Sequence, residues 1–308
     1  MANYLITIIG PTAIGKTALS IRLAQYFNCD IISCDSRQFY KETSIGTAVP
    51  SKEELAAAKH HFIQNKSILD NYNVGDFERD AIEKLDELFQ ENNVQIMVGG
   101  SGLYVNAVLN GFDDFPSIDE SIRTQLNNNF NEKGLDYLVE TLKDLDLDYY
   151  NFIAENNPQT FKNPQRMKRF VEVCIGTGKP YSSFLKKKSN TRNFTPIIIG
   201  LEADREVMYN RIEQRVDIMM NEGLLKEVES VFIHKNLNAL QTVGYRELFD
   251  YLDNKTTLDT AIEEIKKNTR RFAKRQLTWF KRTENAMWFD YLEDRKNIIN
   301  KIESIITK

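Results

Sequence analysis

The sequence predicts an α/β protein in which an all-helical domain is inserted into a parallel sheet core. Three patterns lead to this prediction. A continuous apolar run over residues 4–9 is typical of a strand buried on both faces, and a glycine-rich turn and a helical pattern follow it directly. Strand and helix patterns then alternate up to residue 98, which indicates a parallel doubly wound sheet. Residues 118–188 show helical segments without a convincing strand.

The remaining elements of the core follow from apolar spacing. Further strands are predicted over residues 30–34, 94–98 and 195–200. Helices are predicted over residues 17–24, 76–91, 204–222 and 258–283. Pro116 and Pro196 bracket the helical insertion, so the predicted domains are residues 1–114 with 194–308 and residues 115–193.

The helix over residues 76–91 has the clearest amphipathic pattern. Asp76 is a plausible N-cap for it. The apolar residues that share one of its faces are Phe77, Ala81, Leu85 and Leu88.

Composition is ordinary for a soluble globular protein, with 42% hydrophobic and 27% charged residues in 308. No apolar run approaches the ~20 residues of a membrane span, and the chain leads from Met1 into a strand pattern without a signal segment. Three cysteines without a CxxC pair argue against a disulfide framework or a zinc site and favour the cytoplasm. The net charge of −4 means that nucleic-acid binding would need a local basic patch.

A glycine-rich phosphate loop, GPTAIGKT, follows the first strand and matches G-x-x-x-x-G-K-[ST] in full. Glycines let successive N–H groups point at an anion, and the next helix presents its N-terminus to the same anion. The lysine supplies a positive charge and the threonine hydroxyl can ligate Mg²⁺. The core is therefore predicted to be P-loop NTPase-like. The predicted diphosphate- or nucleotide-binding residues are Gly10, Pro11, Thr12, Ala13, Ile14, Gly15, Lys16 and Thr17.

Such a loop is typical of ATP-binding proteins, but no acid follows the strand over residues 94–98, which argues against a motor-type ATPase. Asp35 follows the second strand, where a doubly wound sheet meets its ligand, and is a candidate general base or a helix N-cap. Ser101 begins the next helix and is either a donor to a leaving oxygen or an ordinary N-cap.

A basic segment over residues 266–283 contains eight cations and no acid. Lys267, Arg271, Lys274 and Lys281 line one helical face, which favours a phosphate-backbone site over a solvated charge face. Cations predicted to form a second wall of a groove are Arg166, Lys168, Arg169, Lys186, Lys187 and Lys188. Structural roles are predicted for His60, His61 and His234.

Together these segments resemble the tRNA dimethylallyltransferases. The matching segments, which span nearly the whole chain in the family's order, are GPTAIGKT (10–17), IISCDSRQFY (31–40), IGTAVP (45–50), HHF (60–62), VGDFERDA (74–81), VGGSGLYVNAVL (98–109), NPQRMKRFVEV (163–173), VGYREL (243–248) and KRQLTWFKR (274–282).

The resemblance implies a prenyl transfer rather than a phosphoryl transfer, a case where fold does not imply function. The dimethylallyl group of dimethylallyl diphosphate moves to N6 of the adenine 3′-adjacent to the anticodon, in tRNAs that read codons beginning with U, and diphosphate leaves. Expected partners are dimethylallyl diphosphate, Mg²⁺ and the tRNA anticodon stem-loop. A monomer without a membrane association is expected.

Residue roles are also implied by the resemblance. Lys16, Thr17 with Mg²⁺, and Arg215 neutralise the diphosphate, and Asp35 takes the N6 proton. Ser101 keeps the hydroxyl of a position that is usually threonine in the family. The residues implied to contact tRNA are Asp35, Ser36, Arg37, Gln38, Ser101, Arg123, Gln165, Arg166, Met167, Lys168, Arg169, Gln241, Thr242, Val243, Gly244, Tyr245, Arg246, Lys274, Arg275, Gln276, Leu277, Thr278, Trp279, Phe280 and Lys281.

One segment departs from the family's pattern, because an NNPQ run at residues 156–159 precedes the NPQR at residues 163–166. The second copy is aligned with the family because Met167-Lys168-Arg169 follows it. Two other functions stay open at this point, a small-molecule or nucleoside kinase that uses ATP and an RNA-binding P-loop module without catalysis.

Overall fold

The computed structural model describes residues 2–113, 115–185 and 192–307. Contacts divide the chain into two compact units, Met1–Asn110 with Thr191–Lys308, and Gly111–Asn190. The helices in chain order are α1 (Lys16–Phe27), α2 (Lys52–Ala57), α3 (Val74–Glu91), α4 (Gly102–Asn110), α5 (Glu120–Leu145), α6 (Leu147–Asn156), α7 (Pro164–Thr177), α8 (Arg205–Glu222), α9 (Leu224–Val231), α10 (Tyr245–Leu252), α11 (Leu258–Phe280) and α12 (Arg295–Ile306).

Six strands of the described residues form one sheet in the order β3-β2-β4-β1-β5-β6, and every neighbouring pair is parallel. The predicted parallel α/β core is therefore confirmed. The strands are β1 (Tyr4–Ile9), β2 (Ile31–Ser33), β3 (His60–His61), β4 (Val94–Val98), β5 (Thr195–Glu202) and β6 (Met287–Asp290).

The sheet is buried on both faces, as the continuous apolar runs predict. Leu5 and Ile9 point into one core with α3 and α4, while Ile6 and Ile8 point into another with α1 and α12. This alternation follows from the period of two of a strand. Burial on both faces places the polar carboxyl ends of the strands, and the loops after them, at the edge of the sheet where ligands bind.

Helix α3 buries the four predicted residues Phe77, Ala81, Leu85 and Leu88. Its predicted N-cap is wrong. The helix begins at Val74, and the side chain of Asn73 caps it while the Asp76 carboxylate accepts a hydrogen bond from the Asn73 N–H. Asp76 is thus the third residue of a capping box, where an acid has the same attraction to the helix N-terminus.

Strands β3 and β6 had no prediction, because β3 has two residues and β6 is a short edge strand. In β3 the ring of His61 contacts Asp30, with 2.8 Å between Nε2 and Oδ2, and the His60 Nδ1 lies 2.8 Å from the Ala58 carbonyl oxygen. These contacts agree with structural roles for both histidines.

The second unit contains α5, α6 and α7 around a core that includes Leu138, Leu142, Met167 and Val171, and no strand occurs among its described residues. Lys186–Lys188, predicted as part of a groove wall, lie outside the described residues. Across the described part of the chain, no helix combines the length and apolarity that a membrane span requires.

The repeated NPQ segments take different structures. The first is a 3₁₀ helix over Pro158–Lys162, and the second begins α7, with Asn163 as the N-cap and Pro164 in the first turn. Proline suits this position because the first N–H groups of a helix have no intrahelical partner.

Candidate functional site

The loops after β1, β2 and β4 meet around a cavity of about 540 Å³ in the first unit. The cavity is lined by Thr12 of the phosphate loop, by Asp35 after β2 and by Ser101 after β4. Arg215 reaches it from α8. The structure thus brings together four residues that lie up to 203 positions apart in the chain. The volume of the cavity is in the usual range for small-molecule sites.

The phosphate loop requires glycine at two positions. Gly10 has φ +145°, and a Cβ there would lie 2.6 Å from the carbonyl oxygen of Leu201. Gly15 has φ +105° and precedes α1, whose first residue is Lys16. The tight turn lets the first N–H groups of α1 face the loop, which is the arrangement that binds an anion.

Two cations of this region have depressed pKa values. Burial lowers the pKa of Lys16 to about 8, with Asp35 opposing the shift and Arg215 adding to it. Burial, followed by the charge of Arg211, lowers the pKa of Arg215. The Lys16 Nζ donates a 2.7 Å hydrogen bond to the Pro11 carbonyl oxygen. Desolvation and mutual repulsion both raise the free energy of the two charged side chains. An anion with two or more charges bound between them would offset both effects.

Asp35 lies in a turn after β2, so its role as a helix N-cap is not realised. Its Oδ1 accepts a 3.1 Å hydrogen bond from the Arg37 N–H, and its carbonyl oxygen accepts one of 3.0 Å from the Gln38 N–H. Burial raises the pKa of the Asp35 carboxyl, although the Arg37 N–H and the charge of Lys16 act against this shift. A raised pKa increases the affinity of the carboxylate for a proton, as a general base requires.

Ser101 is held by the loop that carries Asp35. Its Oγ accepts a 3.1 Å hydrogen bond from the Ser36 N–H and lies 3.1 Å from the Ser36 Oγ. The hydroxyl contacts join two loops that are 65 positions apart, while the Ser101 carbonyl oxygen accepts N–H bonds at the start of α4. The serine hydroxyl therefore lies beside the base candidate.

Gln276 of α11 connects two of these loops from inside the protein. Its Oε1 accepts a 2.9 Å hydrogen bond from the Thr12 N–H, and its Nε2 donates one of 2.9 Å to the Gly100 carbonyl oxygen. The residue is 6% exposed and both ends of its amide are used within the protein. For Gln276 the geometry supports a positioning role rather than the predicted direct contact with tRNA.

Two further residues implied to contact tRNA are inaccessible. Met167 and Tyr245 are each 0% exposed, because Met167 packs in the core of the second unit and Tyr245 packs among α9, α10 and α11. A buried side chain cannot contact a macromolecule, so direct contact by these two is corrected to packing. Phe280 is 1% exposed but borders the cavity.

Two residues that follow Asp35 and are implied to contact tRNA, Arg37 and Gln38, form side-chain hydrogen bonds within the protein. Arg37 Nη1 donates to the carbonyl oxygens of Asn238 and Ala239 at 2.8 and 2.9 Å. Gln38 Nε2 donates to the Ala48 carbonyl oxygen at 2.8 Å. Ser36, by contrast, borders the cavity together with Arg37.

The positive charge of α11 is unevenly neutralised. Lys266 contacts Asp217 at 2.9 Å, Lys267 contacts Glu264 at 2.6 Å, and Arg270 contacts Glu213 at 2.5 Å. Lys281 contacts Glu202 at 2.7 Å. The basic residues of this segment that form no salt bridge within the described chain are Arg271, Lys274, Arg275 and Arg282. The uniform basic face predicted from the sequence is therefore corrected to a shorter one.

The other predicted contacts divide by exposure. The side chains of Lys274, Arg275, Thr278, Trp279 and Lys281 are exposed on α11 or just after it, and Leu277 is half-buried. Gln241 and Arg246 are exposed, Thr242 and Val243 are half-buried, and Gly244 is buried at the start of α10. In the second unit Gln165 and Arg166 are exposed, Lys168 and Arg169 are half-buried, and Arg123 contacts Glu172 at 2.8 Å.

The apolar residues that line the cavity were not predicted from sequence motifs. Ile212, Val216 and Met219 of α8 line it together with Phe272 of α11. Their three- and four-residue spacing on α8 was visible in the sequence, but the same spacing is typical of any core-facing helix. No group of three or more potential His, Cys, Asp or Glu metal ligands occurs among the described residues.

Comparison with known proteins identifies the family of the chain. The model of the IPP transferase family matches residues 38–283. A tRNA dimethylallyltransferase of Flavobacterium johnsoniae is 68% identical over 300 residues, which cover 97% of each chain. A crystal structure of a tRNA isopentenylpyrophosphate transferase from Bacillus halodurans is 36% identical, with a TM-score of 0.71 over 99% of this chain and 96% of that one.

A eukaryotic dimethylallyltransferase, described as acting on tRNA, is similar in structure at 25% identity, with a TM-score of 0.83 over 99% of this chain and 80% of that one. The family match covers most of the chain, and the identity to the bacterial relatives is high over nearly their whole length. These findings confirm the predicted family and the predicted enzyme class, a prenyltransferase of tRNA modification. The chain belongs to the IPP transferase family.

Proposed function

We propose that this protein transfers the dimethylallyl group of dimethylallyl diphosphate to N6 of the adenine 3′-adjacent to the anticodon, in tRNAs that read codons beginning with U. The observation that supports it best is the shared cavity that Asp35, Ser101 and Arg215 line together with Thr12 of the phosphate loop and an apolar wall. The names of the relatives, tRNA dimethylallyltransferases, support the same substrates.

The diphosphate is proposed to bind the loop over residues 10–17. Backbone N–H groups at the start of α1, the Lys16 ammonium and the Arg215 guanidinium supply the positive potential. Charge on the diphosphate grows as the allylic C–O bond breaks, so these cations stabilise the transition state more than the bound substrate.

The residues at the loop would fit a magnesium ion that accompanies the bound diphosphate. Thr17 stands in the first turn of α1, where its hydroxyl can add one oxygen ligand. Mg²⁺ keeps several waters and takes few protein ligands when substrate phosphates coordinate it, so a cluster of acids is not required. When bound, the ion adds positive charge that stabilises the leaving diphosphate.

The prenyl chain is proposed to lie against the apolar wall formed by Ile212, Val216 and Met219. Burial of apolar groups favours binding by about 25 cal/mol per Å² removed from water. The same wall excludes water from the reacting carbon and limits hydrolysis of the diphosphate ester.

The chemical step is a substitution at the allylic carbon. The adenine N6 forms a bond to that carbon, the bond from the carbon to the diphosphate oxygen breaks, and the N6 proton passes to the Asp35 carboxylate. The Ser101 hydroxyl, which contacts Ser36 at 3.1 Å, is proposed to hydrogen-bond the leaving oxygen or the base. The target base must leave the stack to reach the cavity, at a cost of roughly a few kcal/mol.

The tRNA is proposed to bind the exposed cations of α11, Arg246 beside the cavity, and the exposed cations of the second unit. Arg275, Arg246 and Trp279 border the cavity, so contacts to the anticodon stem-loop continue directly into the site. The second unit is accordingly proposed to be a tRNA-binding domain. We propose a monomer that acts in the cytoplasm, the site of its tRNA substrate.

A single-turnover assay tests the function. The protein is mixed with unmodified tRNA and labelled dimethylallyl diphosphate, and the label is followed into tRNA. We expect label on the adenine next to the anticodon, and binding of dimethylallyl diphosphate in preference to ATP. Transfer of a phosphoryl group from ATP, or tRNA binding without any prenylation, would instead support a kinase or a binding module.

A further inference from the structure

Glu227 of α9 has four donors arranged around its carboxylate. Its Oε2 accepts 2.8 Å hydrogen bonds from the N–H groups of Ser44 and Ile45. Its Oε1 accepts one of 2.9 Å from the Gly46 N–H and one of 2.6 Å from the Tyr245 hydroxyl. Three successive backbone N–H groups that converge on one anion form a nest, so the carboxylate here fills an anion site made by the protein itself.

The loop held by Glu227 is a wall of the cavity. Gly46, Thr47 and Ala48 line the cavity that also contains Asp35. Gly46 packs directly on the ring of Tyr245, because a Cβ at this position would lie 2.6 Å from a ring carbon. The Glu227 carboxylate therefore holds the backbone of this wall by hydrogen bonds, and the Tyr245 ring holds it by packing.

The same loop is attached to Asp35 through the chain. Gln38 Nε2 donates to the carbonyl oxygens of Thr47 and Ala48 at 3.2 and 2.8 Å, which closes residues 38–48 into a ring. Burial, and then the charge of Glu227, raise the pKa of Tyr245, so its hydroxyl remains a donor at neutral pH. Glu227 thus acts on the cavity without lining it.

We propose that Glu227 is a positioning residue that holds the Ser44–Ala48 wall in the shape that accepts the target nucleotide. The proposal rests on the proposed prenyl transfer to tRNA. The wall and the phosphate loop are held by different residues. Glu227 forms no hydrogen bond to the segment 10–17, and the Thr12 N–H of that segment donates to Gln276 instead. Loss of Glu227 therefore affects use of tRNA more than affinity for dimethylallyl diphosphate.

Glu227→Gln removes the match with little change of volume. A carboxylate has only acceptors, whereas a carboxamide has one oxygen and one NH₂ group. In one orientation the NH₂ group of the glutamine faces the Ser44 and Ile45 N–H groups, and in the other it faces the Gly46 N–H and the Tyr245 hydroxyl, which can also accept. Either orientation leaves at least one partly buried backbone N–H without its acceptor, which costs about 1–3 kcal/mol. Glu229→Gln, on the exposed side of the same helix, is the matched control because it makes the same chemical change without these bonds.

The test compares steady-state tRNA prenylation, equilibrium binding of dimethylallyl diphosphate, and hydrogen exchange of the amides of residues 44–46. For Glu227→Gln we expect kcat/KM for tRNA to fall roughly 10- to 100-fold, which corresponds to the cost above. Binding of dimethylallyl diphosphate should change less than about twofold, and the three amides should exchange faster. Glu229→Gln should match the parent in all three.

Two results would overturn the proposal. Faster exchange of the three amides with unchanged kcat/KM for tRNA would make the contacts purely structural. An equal loss of binding of dimethylallyl diphosphate would show a general disturbance of the site. If Glu227→Gln does not fold, Tyr245→Phe removes only the hydroxyl donor and should give a smaller change with the same selectivity for tRNA. A parent protein that prenylates no tRNA would contradict the proposed function instead.

Discussion

The cations beside the phosphate loop and the cations of α11 are handled differently by the fold. Lys16 and Arg215 are desolvated, repel each other and form no salt bridge within the described chain. On α11, Lys266, Lys267 and Arg270 are each paired with a carboxylate. Unpaired and desolvated charge stores electrostatic free energy that an anionic ligand can release, whereas a cation already paired with a carboxylate is largely neutralised.

The comparison continues within α11 itself. Its first half carries paired cations, while Lys274 and Arg275 in its second half are exposed and form no salt bridge within the described residues. We expect the loss of a cation to impair function most where that cation is desolvated and has no carboxylate partner, and least where it is already paired. The cations of the loop should have the largest effects, those of the second half of α11 smaller ones, and those of the first half the smallest.

Removal of the loop charge is expected to have the largest effect. Lys16→Ala should lower kcat by about 10²-fold or more, because the charge faces oxygen atoms that become more negative in the transition state. Rapid-quench turnover with both substrates saturating measures it. Normal turnover in this variant would separate the phosphate loop from the chemistry.

Removal of the base should have an effect of similar size on kcat alone. Asp35→Asn keeps the volume and one acceptor but cannot take the N6 proton, so kcat should fall by about 10²-fold with dimethylallyl diphosphate affinity nearly unchanged. Single-turnover kinetics and equilibrium binding distinguish the two quantities. A chemical rate equal to that of the parent would leave Asp35 with its turn contact to Arg37 as its only role.

The two shifted pKa values predict a pH profile for kcat/KM of dimethylallyl diphosphate. Lys16, with a pKa of about 8, is charged below that pH and loses its charge above it, so the profile should fall on the alkaline side near pH 8. Asp35, whose pKa is raised, must be ionised, so the profile should fall again on the acidic side. Lys274→Ala should keep both limbs, and a flat profile from pH 7 to 10 would contradict the role of Lys16.

The exposed cations of α11 should have a smaller effect, seen in tRNA binding and not in chemistry. Lys274→Ala with Arg275→Ala should weaken tRNA binding and reduce the salt slope by roughly one for each phosphate contact that is lost. Equilibrium binding at several salt concentrations measures both.

The matched control for this pair is Lys266→Ala with Lys267→Ala, in the paired half of the same helix. These residues already bind Asp217 and Glu264, so their removal should change the salt slope little and stability by less than about 1 kcal/mol. If both double variants gave the same loss of slope, pairing within the protein would not decide which cations bind phosphate.

Much of the core was predictable because its signals are local. Strand β1 was predicted over its whole length, and the phosphate loop was recognised because glycines must occupy the turn after it. The limits of the prediction on α11 were partly local as well. Glu264 is one turn before Lys267 and lies two residues before the basic segment 266–283 begins.

The sequence by itself determined the parallel core, the phosphate loop and the family, because apolar runs and a strand-loop-helix motif depend on neighbours in the chain. Only the tertiary structure decided which polar groups form hydrogen bonds or salt bridges within the protein. Gln276 and Glu227 bond backbone groups of distant loops, and Glu213 and Asp217 neutralise cations from another helix. Hydrogen bonds and ion pairs depend on distances of a few ångströms in space, which sequence separation does not specify.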